Sequence, residues 1–185
     1  GLHYQGPRCF RLSKNLISAL QNPVIVSNKL QKEIDAHRIA GPFVSPPFDN
    51  LQISPIGMVP KKEPGQVRLI HHLSFPEKKS INDHIPDTFC TVQYATLDDA
   101  VKIIVSLGKG CLLAKTDVES AFRVVPVRKE DHEPLGFKWQ CFFYYDKCLP
   151  MGCASSCAIF EKFSTALEWT GRVKGHIPPH HSCSR

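Results

Sequence analysis

An α+β fold is predicted for this 185-residue chain, and three observations predict it. Short apolar runs bracket turn signals, as in "IGMVPKKEPGQVRLI", the pattern of a β-hairpin. Helix-period segments occur, but they do not alternate regularly with strands, which argues against a doubly wound parallel sheet. Composition is that of an ordinary globular protein, 42% hydrophobic and 22% charged. A chain of this length buries about 70% of its unfolded surface, enough for one real core.

The elements are expected in this order. Residues 1–44 read as an N-terminal arm. Leu16, Ile17 and Leu20 make a short apolar patch, and Pro23 should interrupt any helix there. "VSNKLQKEIDAHRIAG" reads as a helix: Ser27 can cap it, Lys29/Glu33 and Leu30/Ile34 lie one turn apart, and Gly41 can end it. "GPFVSPPFDN" is dense in proline and reads as an extended connector. Residues 56–59 and 67–70 are predicted strands around the Pro-Gly turn of "KKEPGQ". "FPEKKSINDHIPDTF" is polar and reads as a surface loop.

The segment "TLDDAVKIIVSLGKG" predicts the cleanest helix. Thr96 can cap it, Asp98 and Asp99 suit its first turn, Ala100, Ile103, Ile104 and Leu107 share a face, and Gly108 can close it. "LLAKTDVESAFRVVPV" then predicts an apolar strand through Leu112, Leu113 and Ala114 that ends at Asp117. "EPLGFKWQCFFYYDKCLP" predicts two strands around a turn. "SSCAIFEKFSTALEWTG" predicts a helix, with Ala158, Ile159, Phe163, Ala166, Leu167 and Trp169 at helical spacing.

The formal charge is +6, a balance that suits a polyanionic partner. No apolar run approaches the ~20 residues of a membrane span. The start "GLHYQGPRCF" lacks a signal-peptide core, so an intracellular location, cytoplasmic or nuclear, is expected. The eight cysteines include no C-x-x-C pair, and buried free thiols are the expected reading. Residues 175–185, "GHIPPHHSCSR", lack periodic apolar residues and are expected to form a disordered tail.

Three ordered blocks resemble reverse transcriptases. "PKKEPGQVRLIHHLS" resembles the fingers hairpin of retroelement polymerases, in which a lysine and an arginine seven residues apart hold the incoming triphosphate; Lys61 and Arg68 have that separation. "LLAKTDVESAF" resembles the first palm motif, which places a metal-binding aspartate at Asp117, a metal-facing backbone carbonyl at Val118, and at Phe122 an aromatic residue that excludes a ribose 2′-hydroxyl. "LPMGCASSCAIF" is similar to the Leu-Pro-x-Gly block under the template–nucleotide pair and puts Pro150, Met151 and Gly152 there. "RIAGPF", "RLIHHLS" and "AFRVVPV" resemble the reverse transcriptases of DIRS-type retrotransposons. His72 stands where many relatives carry aspartate, and Met151 where retroviral relatives carry glutamine.

The resemblance covers about residues 30–174 and implies right-hand polymerase fingers and a partial palm within 45–174, with no thumb. It implies template-directed nucleotidyl transfer to a primer 3′-hydroxyl, Mg2+ as cofactor, and an RNA or DNA template–primer with deoxynucleotides as partners. Further element-encoded RNase H and recombinase regions are implied as well. Magnesium takes hard oxygen ligands, which suits a carboxylate at Asp117. Lys61 and Arg68 would neutralise phosphate, Arg68 by a bidentate contact. Taken singly, Asp117 also reads as a surface acid, Phe122 as core, Gly152 as an ordinary turn glycine, and the two cations as a solvated hairpin edge. Lys115, Arg123, Arg128 and Lys138 are basic residues open to either phosphate contact or plain surface charge.

The family's second palm motif carries two adjacent aspartates in a hairpin. After Gly152 this sequence holds only Glu161 and Glu168, both in the predicted helix. Two dications ~4 Å apart repel by roughly 16 kcal/mol at an effective dielectric of 20, so one carboxylate is a poor substitute for three. The expectation is a fragment inactive by itself, truncated before that motif, its tail diverted by a frame shift near residue 179. A non-catalytic nucleic-acid-binding remnant of a retrotransposon is the other reading.

Overall fold

The computed structural model describes residues 1–62, 65–114 and 117–175. The strands β1 (Arg11–Leu12), β2 (Ile39–Phe43), β3 (Gln52–Ile53), β4 (Ile56–Pro60), β5 (Val67–His71), β6 (Gly136–Trp139) and β7 (Phe142–Asp146) are accompanied by four α-helices. Five of the strands form one mixed sheet in the order β1-β3-β6-β7-β2. The β1–β3 and β3–β6 pairs are parallel, and the β6–β7 and β7–β2 pairs antiparallel. Both β1 and β2 come from the predicted N-terminal arm.

The two predicted hairpins are present. β4 and β5 pair antiparallel as a separate two-stranded sheet, with Ile56 opposite His71 and Pro60 opposite Val67. Gly65 in its turn has φ +75°, a conformation that glycine adopts without a Cβ clash; Glu63 and Pro64 lie outside the described residues. β6 and β7 pair from Gly136–Tyr145 to Trp139–Phe142.

Two apolar clusters hold these elements together. One gathers Leu2, Leu73, Ile81, Ile85, Val125, Leu135 and Leu149. The other gathers Val26, Leu30, Ile39, Ile56, Phe137, Trp139 and Tyr144. Phe137 is fully buried and stacks on Tyr144 at 5.3 Å between ring centroids. Side chains of this kind contribute roughly 1.5–3 kcal/mol each on burial.

Several expectations are corrected. Pro23 does not interrupt a helix but opens one: α1 (Ile17–Leu20) is followed by α2 (Pro23–Asp35), with Pro23 in the first turn. A first-turn residue has no intrahelical N–H bond to lose, and proline's φ suits the position. Ser27 lies inside α2, where its hydroxyl accepts a hydrogen bond from Trp139 Nε1 (3.0 Å). Gly41 lies in β2, and the helix ends at Asp35. The loop after Leu73 is not wholly on the surface, because Ile81 and Ile85 are buried in the first cluster.

The predicted strand through Leu112–Ala114 is absent. Residues 111–114 carry no regular structure, and Leu112 is 96% exposed. A strand needs a neighbour to bond, and among the described residues none pairs here. Lys115 and Thr116 lie outside the described residues.

α3 (Leu97–Leu107) forms as predicted, with a capping box between Thr96 and Asp99 and Gly108 at φ +82° beyond its end. None of its residues is buried, however, and Leu97, Val101 and Val105 are exposed. Its stability is therefore local. Thr96→Ala is expected to cost that helix about 1 kcal/mol. Amide exchange over residues 97–100 should speed up about five-fold, with little change in the global melting temperature; hydrogen-exchange mass spectrometry reads both.

α4 (Ser156–Gly175) also forms. Ile159 and Phe160 pack on the first cluster, whereas Phe163, Leu167 and Trp169 are exposed. The seven described cysteines are free thiols. Only Cys153 is buried, and Cys9, Cys141 and Cys157 are exposed, against the expectation of buried thiols. Among the described residues no helix is long and apolar enough to cross a membrane. The predicted tail, from residue 176 onward, lies outside them.

Candidate functional site

One cleft of about 790 Å³ brings most of the sequence-predicted residues together. That volume lies within the usual range for ligand pockets, about 300–1,000 Å³. Lys61 and Arg68 of the β4–β5 hairpin line one side, and Lys29, Lys32 and Glu33 of α2 line another. Asp117, Val118, Phe122, Arg123, Pro150 and Met151 complete the wall.

The placement of each predicted residue follows from local structure. Lys61 and Arg68 are exposed at the turn end of the hairpin, where the ladder pairs Val59 with Arg68. Lys61 donates to Gln66 Oε1 at 3.3 Å. Asp117 is exposed, and Val118 is 40% exposed. Ser120, in the left-handed region at φ +55°, leads into a 3₁₀ turn at Ala121–Val124. That reversal brings both Val118 and Phe122 to the cleft. Phe122 is half-buried, edge-on to Phe160 at 5.6 Å, so it is packed as well as cleft-lining. Met151 is exposed at 57%.

Gly152 is not in the cleft wall. Its close approach is to β5: a Cβ there would stand 2.1 Å from the His71 carbonyl oxygen. Asn82 also fixes the turn, donating from Nδ2 to the Gly152 carbonyl (2.8 Å) and accepting from the Ala154 N–H (2.9 Å).

A buried ionic network closes the floor of the cleft. Arg123 Nη1 lies 2.7 Å from Asp146 Oδ1, and Arg123 Nε lies 2.9 Å from Glu33 Oε2. His71 Nδ1 lies 2.9 Å from Asp146 Oδ2, and its Nε2 lies 3.1 Å from the Gly136 carbonyl. Each ring nitrogen thus faces an oxygen acceptor. Burial pushes the Asp146 carboxyl up, but Arg123 and His71 outweigh burial and hold it below the usual carboxylate range. Burial likewise lowers Arg123, and Asp146 with Glu33 more than restore it. Arg123 therefore reads as an interior ion-pair residue, not a surface charge. Arg128 pairs with Asp131 at 3.5 Å, and Lys138 sits 4.9 Å from the Phe143 ring centroid.

The sequence reading did not single out His71, Asp146 or Glu33 as a group. The one visible signal was at Asp146, a charge set among aromatic residues in "YYDKC".

Arg123 together with Arg38, which lies 3.5 Å from Glu33, offsets Glu33 and Asp146, and the cleft then presents Lys29, Lys32, Lys61 and Arg68 against Asp117 and Glu119. None of these six makes an ion pair with another described residue. The excess of positive charge suits a polyphosphate. Among the described residues no group of three His, Cys, Asp or Glu side chains is placed to hold a metal ion. Asp117, with the Val118 carbonyl beside it in the chain, supplies hard oxygen donors of the kind magnesium takes, but not a closed site.

No protein-family model matches the chain, and no curated protein matches it. Solved structures do match. The crystal structure of the prototype foamy virus protease-reverse transcriptase CSH mutant is similar over 95% of this chain and 20% of its own, at 18% identity and a TM-score of 0.57. The foamy viral protease-reverse transcriptase dRH in complex with double-stranded DNA is similar over 90% of this chain and 25% of its own, at 16% identity and a TM-score of 0.56. A further foamy viral protease-reverse transcriptase structure with double-stranded DNA is similar over 91% and 30%, at 16% identity and a TM-score of 0.54. This chain therefore spans less than a third of the length of those proteins. At such identities the likeness is one of architecture, and it makes the fold reverse transcriptase-like.

Proposed function

We propose that this chain is the fingers and partial palm of an RNA-directed DNA polymerase from a DIRS-type retrotransposon, and that its cleft receives a deoxynucleoside triphosphate beside a template–primer. The observation that carries the reading is the convergence of Lys61, Arg68, Asp117, Phe122 and Met151 on one positively charged cleft in a reverse transcriptase-like fold. The β4–β5 hairpin belongs to the fingers in this reading. The Asp117 segment belongs to the partial palm, and the chain returns to the fingers after it.

Each residue has a role that its chemistry permits. Lys61 and Arg68 bind the triphosphate, Arg68 through its planar fork. Phe122 presents a ring edge against the sugar and excludes a 2′-hydroxyl. Pro150 and Met151 support the nascent base pair by apolar contact. Asp117 and the Val118 carbonyl would hold Mg2+, which when bound clamps the triphosphate and acidifies the attacking hydroxyl. Residues 1–185 contain one of the family's three palm carboxylates, so copying requires the other two from elsewhere. RNase H and recombinase regions of the same element would be further partners. Template contact is expected to be phosphate-directed and salt-dependent.

A second reading, a non-catalytic nucleic-acid-binding remnant, draws on the lack of an acidic cluster around Asp117 among the described residues. Asp117→Asn separates the two. Under the first reading, magnesium-dependent dTTP binding to the chain with primed template falls about ten-fold or more, a 1.4 kcal/mol loss, and template affinity is unchanged or higher. If dTTP binding is indifferent to the substitution, the second reading stands. Fluorescence titration with labelled primer–template measures both affinities.

A further inference from the structure

We propose that Arg123 is a positioning residue for this cleft: its buried guanidinium holds the β4–β5 hairpin, the turn after Asp117 and the segment before Met151 in one register. The inference rests on the reading of the cleft as a nucleotide site, and it deepens that reading.

Three sets of contacts converge on this one side chain, and a fourth is made by its backbone. Nη1 pairs with Asp146, whose other oxygen bonds His71 at the end of β5. Nε pairs with Glu33 of α2. Nη1 also donates to the carbonyls of Cys148 (3.3 Å) and Leu149 (3.5 Å), immediately before Pro150 and Met151. The backbone N–H of Arg123 closes the turn by donating to the Ser120 carbonyl (2.7 Å), next to Phe122. The fingers lysine and arginine, the Asp117 segment and the Leu-Pro-Met-Gly block are therefore tied through one planar group.

The network is not explained by stability alone. A buried ion pair usually contributes no more than apolar packing of the same volume, because desolvation opposes it. What it adds is direction. A guanidinium fork accepts partners only in its own plane and at fixed angles. Three segments around a cleft need such a reference, since a misplacement of about 1 Å can cost about 100-fold in a positioned reaction. Lysine in place of Arg123 would keep the charge and lose the fork.

The test compares the wild-type chain with Arg123→Lys. The probes are magnesium dTTP on an oligo(dT)-primed poly(A) template, the primed template alone, and backbone amide NMR. Arg123→Lys should unfold cooperatively, weaken dTTP binding about ten-fold, and leave template affinity within about two-fold. Amide signals of residues 67–71 and 149–152 should move together. Equal losses of both affinities would mark a merely structural role and overturn the proposal, as would unmoved signals in 67–71. Where Arg123→Lys does not fold, Asp146→Asn carries the same measurements through the other half of the pair. If the wild type binds no dTTP, the nucleotide reading fails, and the amide signals still decide whether Arg123 sets the register.

Discussion

Asp146→Ala is expected to lower folding stability by about 3–5 kcal/mol, the usual cost of removing one partner from a buried ion pair. The side chain of Asp146 is 5% exposed, and its two oxygens serve Arg123 and His71 separately. Its loss leaves a buried guanidinium with only Glu33 and backbone carbonyls as partners, and a histidine ring with one unmatched nitrogen. The cavity left by the carboxylate adds to that cost. Urea denaturation at neutral pH reads the difference directly.

The same pair predicts a pH dependence. The folded carboxyl of Asp146 is held below its ordinary value of 3.8. A depressed folded value contributes stability that is present above the unfolded pKa and is lost as pH falls through the folded one. The gap in stability between wild type and Asp146→Ala should therefore narrow as pH falls below about 4. A gap that is small at pH 7, or that does not change with acid, would mean that water reaches the carboxylate and that the network is not the closed interior pair described here.

What was legible in the sequence was local. The β4–β5 hairpin announced itself through two apolar runs and a Pro-Gly turn, and α3 through its capping box, because each signal lies within the element it specifies. The β6–β7 pair followed for the same reason. The predicted strand at Leu112–Ala114 failed because apolar content does not make a strand without a neighbour, and that neighbour is a non-local matter. Pro23 misled because the rule against proline applies to helix interiors, not to a first turn. Lys61, Arg68, Asp117, Phe122 and Met151 were singled out by spacing that resembles a known family, and all five line one cleft. The Arg123 network could not be read that way. Arg123 and Glu33 are 90 residues apart, and no period or motif encodes such a pairing.

Gly152→Ala is expected to cost about 3 kcal/mol, the upper part of the usual range for overpacking. The reason is the identity of the atoms it meets. Its Cβ would stand 2.1 Å from the His71 carbonyl oxygen, 3.3 Å from the carbonyl carbon and 3.8 Å from the Leu73 nitrogen. A side chain could rotate away, but these are backbone atoms at the end of β5. Asn82 ties the turn to the residues after β5, since it bonds Gly152 and Ala154 while its own N–H donates to the Leu73 carbonyl (3.0 Å). The remaining relief is for the turn and β5 to part. That would separate Met151 from Arg68 across the cleft, so dTTP affinity should fall beyond what the lost stability explains. Gly171→Ala is the matched control. It lies in α4 with nothing within 4 Å of the added carbon, and alanine there should be neutral or stabilising by up to about 1 kcal/mol. Thermal melts of the two variants, with dTTP titrations below both transitions, make the comparison. If Gly152→Ala melts like wild type, β5 is not pressed against the turn, and the close approach to the His71 carbonyl does not hold the two together.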